Sequence, residues 1–366
     1  MTSTVVKAGY WYCNSGFQPA NINSSLFTHL FAAFANVTTG TYQLTFPTGY
    51  ETQFQSFAQT VKSNNSDIKA ILSIGGYNVN ASSILATIAS QPNIRKAFID
   101  SSIDVAREFD YDGLSLNWQY PNTTDQMTNL ATLLTEWRAA VEVEAAQSPD
   151  KAKLLLTAAV FYTSEYTPSV NYPIQAIVDS LDWINVMAYD LYTPLSSPNS
   201  TGPPAPLHGP TSSQLITVDG GVRAWIDAGV PANKLVLGLS FNGYGWVLEN
   251  ADNHGISSPA DGPWNLGNSV PYRTIQDFII KTGAVEVIDP SYVTHYCYVD
   301  KDWIGYEGKY SIFDKSRYGM EKGLLGYFAW HVADDDDAWT LSSQGNLLIT
   351  YFTISLKIST LQSINN

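Results

Sequence analysis

Three neutral polar residues, Ser115, Asn117 and Gln119, alternate with Leu114, Leu116 and Trp118 in the stretch Tyr111-Asp112-Gly113-Leu114-Ser115-Leu116-Asn117-Trp118-Gln119-Tyr120-Pro121. That period of two is a β-strand's, whose successive side chains point to opposite faces. One face is apolar and can pack beneath helices. The other is a ladder of hydroxyl and amide groups that donate and accept hydrogen bonds without ionising. A buried polar group without a partner costs about 1–3 kcal/mol, so the ladder is either a satisfied core network or a site. The spacing alone does not choose between them. Other chemistries lack their motifs: there is no Gly-x-Ser-x-Gly elbow, His-Glu-x-x-His helix, paired-cysteine motif or dinucleotide fingerprint. The histidines (His29, His208, His254, His295 and His331) are scattered and read as structural, so no metal and no cofactor is expected.

The elements that must position the ladder alternate between strand and helix, the pattern of a parallel α/β fold. Strands are expected over Val5–Tyr12, with Tyr10 and Tyr12 on one face, and over His29–Ala35, apolar on both faces as a buried parallel strand should be. Further strands are expected at Lys69–Ile74, Leu154–Val160, Trp183–Tyr189, Leu235–Phe241 and Gly326–Trp330. Helices are expected over Gln53–Lys62, Ile94–Glu108, Asp125–Ala146 and Val218–Gly229. The proline- and glycine-rich run Thr193–Pro210 reads as an exposed, mobile loop, and Asp334–Asp337 as a solvated one. Leu347–Ile358 reads as a final helix followed by a frayed tail, far short of the ~20 apolar residues that span a bilayer.

The central stretch resembles the strand-four motif of family eighteen glycoside hydrolases, the chitinase family, which reads Asp-Gly-x-Asp-x-Asp-x-Glu followed by Tyr-Pro. Asp112, Gly113, Trp118, Tyr120 and Pro121 are kept, while Ser115, Asn117 and Gln119 stand where that family has carboxylates. The resemblance recurs in order. Ser73, Gly75 and Gly76 match Ser-x-Gly-Gly, Met187-Ala188-Tyr189-Asp190 matches Met-x-Tyr-Asp, and Gly326-Tyr-Phe-Ala-Trp330-His matches the family's last strand. Ser240 and Asn242 depart from its Pro-Phe-Tyr-Gly. The pattern is most similar to plant class V chitinases.

That resemblance implies an α/β fold, a (β/α)8 TIM barrel with a small α+β insertion subdomain before the last barrel helix and strand. The barrel would take residues 1–243 and 311–350, the insertion 244–310, and a C-terminal tail 351–366. It also implies an oligosaccharide cleft built from Tyr10, Phe34, Gly75, Gly76, Asn117, Gln119, Met187, Tyr189, Asp190, Tyr244 and Trp330, with Trp330 as the floor of a sugar subsite and the glycines admitting a sugar close to the backbone. In the family a protonated glutamic acid serves the leaving oxygen while the substrate's acetamide attacks, an exception to the two-carboxylate scheme. Gln119 has no ionisable proton, and general acid catalysis is worth ~10²–10⁴. The expectation is therefore a non-enzyme: a chitinase-like lectin for N-acetylglucosamine-containing glycans such as chitooligosaccharides. With a neutral ladder, binding should be nearly flat from about pH 5 to 8. A non-catalytic protein-binding or storage barrel and a weakly active chitinase are the other two readings.

Composition bounds the partners. At 366 residues the chain exceeds the ~250 typical of such a barrel. A net charge of −14 and a pI near 4.6 argue against nucleic acid or an anionic membrane. The 10 Trp and 22 Tyr suit a sugar cleft, where apolar ring faces meet apolar sugar faces. Cys13 and Cys297 cannot build a disulfide framework and read as free buried thiols. Sequons at Asn23, Asn36, Asn64, Asn80, Asn122 and Asn199 point to a secreted or vacuolar glycoprotein. No signal peptide precedes Val5. Oligomeric state is not legible.

Overall fold

The computed structural model describes residues 5–77, 79–210 and 216–344. Eight strands carry the fold: β1 (Val6–Tyr12), β2 (His29–Val37), β3 (Lys69–Gly76), β4 (Gly113–Trp118), β5 (Leu155–Val160), β6 (Trp183–Val186), β7 (Leu235–Ser240) and β8 (Gly326–Trp330). Each pairs in parallel with its sequence neighbours, and β8 returns to β1, so the sheet closes on itself without an edge. This is a (β/α)8 barrel, as expected. β4 is buried along its whole length. Leu114, Leu116 and Trp118 face the outer layer, where Trp118 Nε1 donates to Ser82 Oγ at 3.0 Å. Ser115 stands level with Ser73 of β3 and Thr157 of β5.

The outer layer is α1 (Glu51–Asn64), α2 (Val79–Ser90), α3 (Pro92–Glu108), α4 (Thr124–Gln147), α5 (Ile174–Ser180) and α6 (Val218–Asp227), with α8 (Lys309–Glu321) preceding β8. Local signals set their starts. α3 opens on Pro92, whose missing N–H costs nothing in a first turn. α4 is capped by Thr123, whose Oγ1 accepts from Gln126 N at 3.2 Å while Gln126 Oε1 accepts from Asn122 N at 2.8 Å. α2 was not anticipated, because a run of Asn, Ser, Ala and Thr gives little apolar periodicity.

Between β7 and α8 lies an antiparallel sheet in the order Ala260–Pro263, Asn242–Leu248, Asp302–Tyr306, Thr294–Val299, Val285–Asp289, with α7 (Tyr272–Thr282) beside it. Its own core centres on Trp246 and Trp303, ring centroids 5.4 Å apart.

Two loop expectations are corrected. Thr201 to Leu207, inside the run read as exposed, is buried throughout. Thr201 Oγ1 donates to Gly255 O at 2.8 Å, and the Lys315 ammonium donates to Ala205 O and to Glu307 in a fully buried pair. Prolines spare this segment backbone donors, so it can be covered with few orphaned groups. Asp334 and Asp335 are likewise buried, not solvated. The Asp335 carboxylate accepts from Leu341 N at 3.0 Å, Ser342 N at 2.9 Å and Ser342 Oγ at 2.7 Å, the work of a helix cap. β6 ends at Val186, so Met187–Tyr189 follow the strand instead of completing it. Both cysteines are free and buried. Leu347–Ile358 lies outside the described residues.

Candidate functional site

A cleft of about 620 Å³ opens at the C-terminal mouth of the barrel, the end at which such barrels carry their sites. Strand ends deliver its walls. β8 brings Trp330, half-buried, whose ring stacks on Phe34 from β2 at 5.7 Å and 26°. Tyr10 from β1 meets the same indole edge-on at 5.5 Å. These rings form an apolar floor. Tyr10 is fixed from below: its hydroxyl accepts from Asn185 Nδ2 at 2.8 Å, and Asn185 Oδ1 accepts from Trp183 Nε1 at 2.9 Å. Ser115 sits beneath the floor, fully buried beside Tyr10.

The amide ladder reaches the cleft only at its upper rungs. Gln119 Nε2 donates to Asn117 Oδ1 at 2.9 Å and lies 3.5 Å from Met187 Sδ. With its two N–H groups directed at Asn117 and Met187, Gln119 offers a ligand its carbonyl oxygen. Tyr189, Asp190 and Tyr244 line the same cleft. Asp190 takes a left-handed backbone angle, φ 56°. Its side chain is open to the cleft's interior, yet protein surrounds that interior, and this depth pushes its carboxyl up to about 6. Tyr244 and Asn242 face it and pull the other way.

Beneath Trp330 is a second group of titrating side chains. His331 Nε2 lies 3.4 Å from Asp334 Oδ2. Burial takes His331 down to about 4, with Arg273 adding to the effect, and takes Asp334 up to about 7 against the pull of Arg273. The Arg273 guanidinium donates to Ala333 O, tying this group to α7.

Of the residues assigned to the cleft from sequence, Tyr10, Phe34, Asn117, Gln119, Met187, Tyr189, Asp190, Tyr244 and Trp330 line it together. Gly75 and Gly76 do not. Both have positive φ, 107° and 90°; a Cβ on Gly75 would meet Asn117 O at 2.3 Å, and one on Gly76 would meet the Phe34 ring at 2.4 Å. In this structure they admit neighbouring protein. Sequence reasoning missed Tyr77, Tyr120, Phe161, Tyr162, Leu195 and Phe328. Tyr120 adjoins Gln119, and Phe328 shares the inward face of Trp330 two residues on, so strand periodicity held both. Tyr77 and Leu195 sit in loops that carry no periodic signal. The expectation of nearly flat binding from about pH 5 to 8 meets one carboxyl in the cleft, Asp190, which burial pushes up to about 6.

The fold and the site define a (β/α)8 barrel with an aromatic-lined cleft at its C-terminal mouth. Comparison with known proteins gives the family. The description Glycosyl hydrolases family 18 matches residues 6–335. A class V chitinase of Arabidopsis thaliana is 47% identical over 339 residues, 92% of this chain and 88% of that protein. A crystal structure of a class V chitinase from Nicotiana tobaccum, a glutamate-to-glutamine mutant in complex with NAG4, superposes with a TM-score of 0.90 at 44% identity, covering 94% of this chain and 99% of that one. A chitinase-like agglutinin from Robinia pseudoacacia does so with a TM-score of 0.87 at 43% identity, covering 94% and 99%. The chain belongs to glycosyl hydrolase family 18 and resembles plant class V chitinases.

These relatives overturn the expectation of a non-enzyme. Proteins named as class V chitinases, 47% and 36% identical over nine-tenths or more of this chain, point to a chitinase.

Proposed function

We propose that this protein is a chitinase-like carbohydrate-binding protein that holds N-acetylglucosamine-containing oligosaccharides, such as chitin fragments, along the cleft. The observation that carries this reading is the Trp330–Phe34–Tyr10 floor set against Gln119, Tyr189, Asp190 and Tyr244. A pyranose presents an apolar face that rests on the indole, and its amide and hydroxyl groups find donors and acceptors on the opposite wall. The tobacco relative, crystallised as a Glu-to-Gln mutant with NAG4, supports a glutamine-bearing cleft as a holder of such chains.

Binding alone suffices for a lectin role, the one suggested by the agglutinin neighbour; hydrolysis is the activity of the proteins named chitinases. Gln119 donates and accepts hydrogen bonds but has no proton to give. Among the residues lining the cleft, Asp190 is the carboxyl, and burial pushes it up to about 6. One incubation with chitotetraose reads both uses: calorimetry reports binding and chromatography reports released sugars. Absence of binding removes the proposal. Turnover that survives Asp190→Asn undiminished removes Asp190 as a source of protons. Exposure of Asn23, Asn36, Asn64, Asn80, Asn122 and Asn199 supports a secreted or vacuolar glycoprotein, which mass spectrometry of the native protein tests.

A further inference from the structure

The sheet that precedes α8 has two edges, and they are built differently. Ala260–Pro263 is flanked by Pro259 and ends on Pro263, its pairing slips at Val247/Leu248, and a bridge from Ser200 to Pro259 covers its start. Prolines, register slips and covering segments are how proteins blunt a strand edge. Val285–Asp289 has none of these. It pairs in regular register with Thr294–Val299, from Val285↔Tyr298 to Asp289↔Thr294. Among the described residues no strand pairs with its outer side. In an antiparallel ladder the backbone N–H and C=O groups point alternately to either side, so this outer side presents donors and acceptors in strand spacing. Neither lysine nor proline interrupts Val-Glu-Val-Ile-Asp.

Apolar exposure is concentrated at the same place. Ile280 is 80% exposed, and Val285 and Ile288 are 50% exposed each, three of the eight large apolar side chains exposed among the described residues. They fall on the last turn of α7 and the strand that follows it.

We infer that Val285–Asp289 is a docking edge for a second copy of this chain, paired antiparallel about a two-fold axis centred on Val287. The charges fit that arrangement. Around Val287, Glu286 of each copy faces Ile288 of the other, and Val285 faces Asp289, so no like charges are opposed across the pair. Tyr306 OH donates to Glu286, which holds that carboxylate at the sheet surface. The contact is isologous, closing at two copies and leaving no free edge to propagate. The strand lies outside the cleft, so a dimer carries two clefts. If the cleft binds oligosaccharide as proposed, one particle can then bridge two glycan chains and gain avidity without any new contact.

Sedimentation velocity of the full chain over a dilution series tests the pairing independently of any sugar. The unaltered chain should pass between monomer and dimer with concentration. Val285→Glu with Ile288→Glu sets carboxylates against Asp289 and Glu286 and should weaken the dimer roughly tenfold or more. Val285→Lys with Ile288→Lys sets cations against the same groups and should strengthen it. Thermal unfolding midpoints close to the parent's show that both variants fold. A monomer at every concentration overturns the inference, whether the edge stays open or another part of the chain covers it. Glutamate and lysine variants that associate alike also overturn it, because the register would then not be the one that holds the copies together.

Discussion

In the proposed function Trp330 is the residue on which sugar binding turns, since it is the half-buried ring that Phe34 and Tyr10 hold in place from two sides. Trp330→Ala should lower affinity for chitotetraose about tenfold, the equivalent of ~1–2 kcal/mol for losing an aromatic contact. Equal binding by parent and variant in calorimetry would remove the subsite. Asp190 sets the pH response. A bound sugar displaces water from the cleft, and desolvation disfavours the charged carboxylate, so the bound-state pKa lies above the free value of about 6. Binding therefore takes up a proton. Affinity should be highest below pH 6 and fall as pH rises through it, whereas Asp190→Asn should give a flat profile. A flat or rising profile for the parent contradicts this assignment. Much of the cleft was legible because its residues end strands in recognisable runs. The ionisation of Asp190 was not, because it depends on enclosure by Tyr244, Asn242 and the opposite wall, which lie in separate stretches of sequence.

Among the connecting elements, a buried carboxylate and a buried ion pair hold segments that the sequence suggested would be loose. The Asp335 carboxylate ties Leu341 and Ser342 to the end of the barrel. Asp335→Ala should cost about 2–3 kcal/mol, the range for charge-assisted hydrogen bonds lost from a buried site. Urea denaturation reads that loss as a lower midpoint at unchanged slope; an unchanged midpoint would show that the cap holds nothing. Glu307 and Lys315 are each almost wholly buried, and Lys315 also holds Ala205. Glu307→Gln leaves the ammonium without a counter-charge and should cost about 3–5 kcal/mol. The double variant with Lys315→Met should recover part of it, and a double variant less stable than the single one would argue against a charge effect. The run Asp334–Asp337 and the proline-rich run Thr193–Pro210 misled for one reason. Composition reports what a segment can do in water, but burial here is decided by partners 7 to 110 positions away in the chain.

The barrel itself was the most legible feature of the chain. Strands buried on both faces must be continuously apolar, and Leu30, Phe31, Ala32 and Ala33 or Val236 and Leu237 show that directly. Helix α2 was the exception, because Leu85, Ile88 and Ala89, its buried residues, are too few among Asn, Ser, Ala and Thr to set a clear apolar period. Under the proposed function the cleft selects a sugar that carries an acetamide, held by Gln119, Tyr189, Asp190 and Tyr244 where they line the same cleft as Trp330, Phe34 and Tyr10. Calorimetric titration of the unaltered chain with chitotetraose, run beside cellotetraose, tests this most directly. The two ligands share a backbone and differ at the acetamide. Saturable binding of chitotetraose with little or none of cellotetraose is the predicted result. Failure to bind either, or equal binding of both, would contradict a cleft built for N-acetylglucosamine.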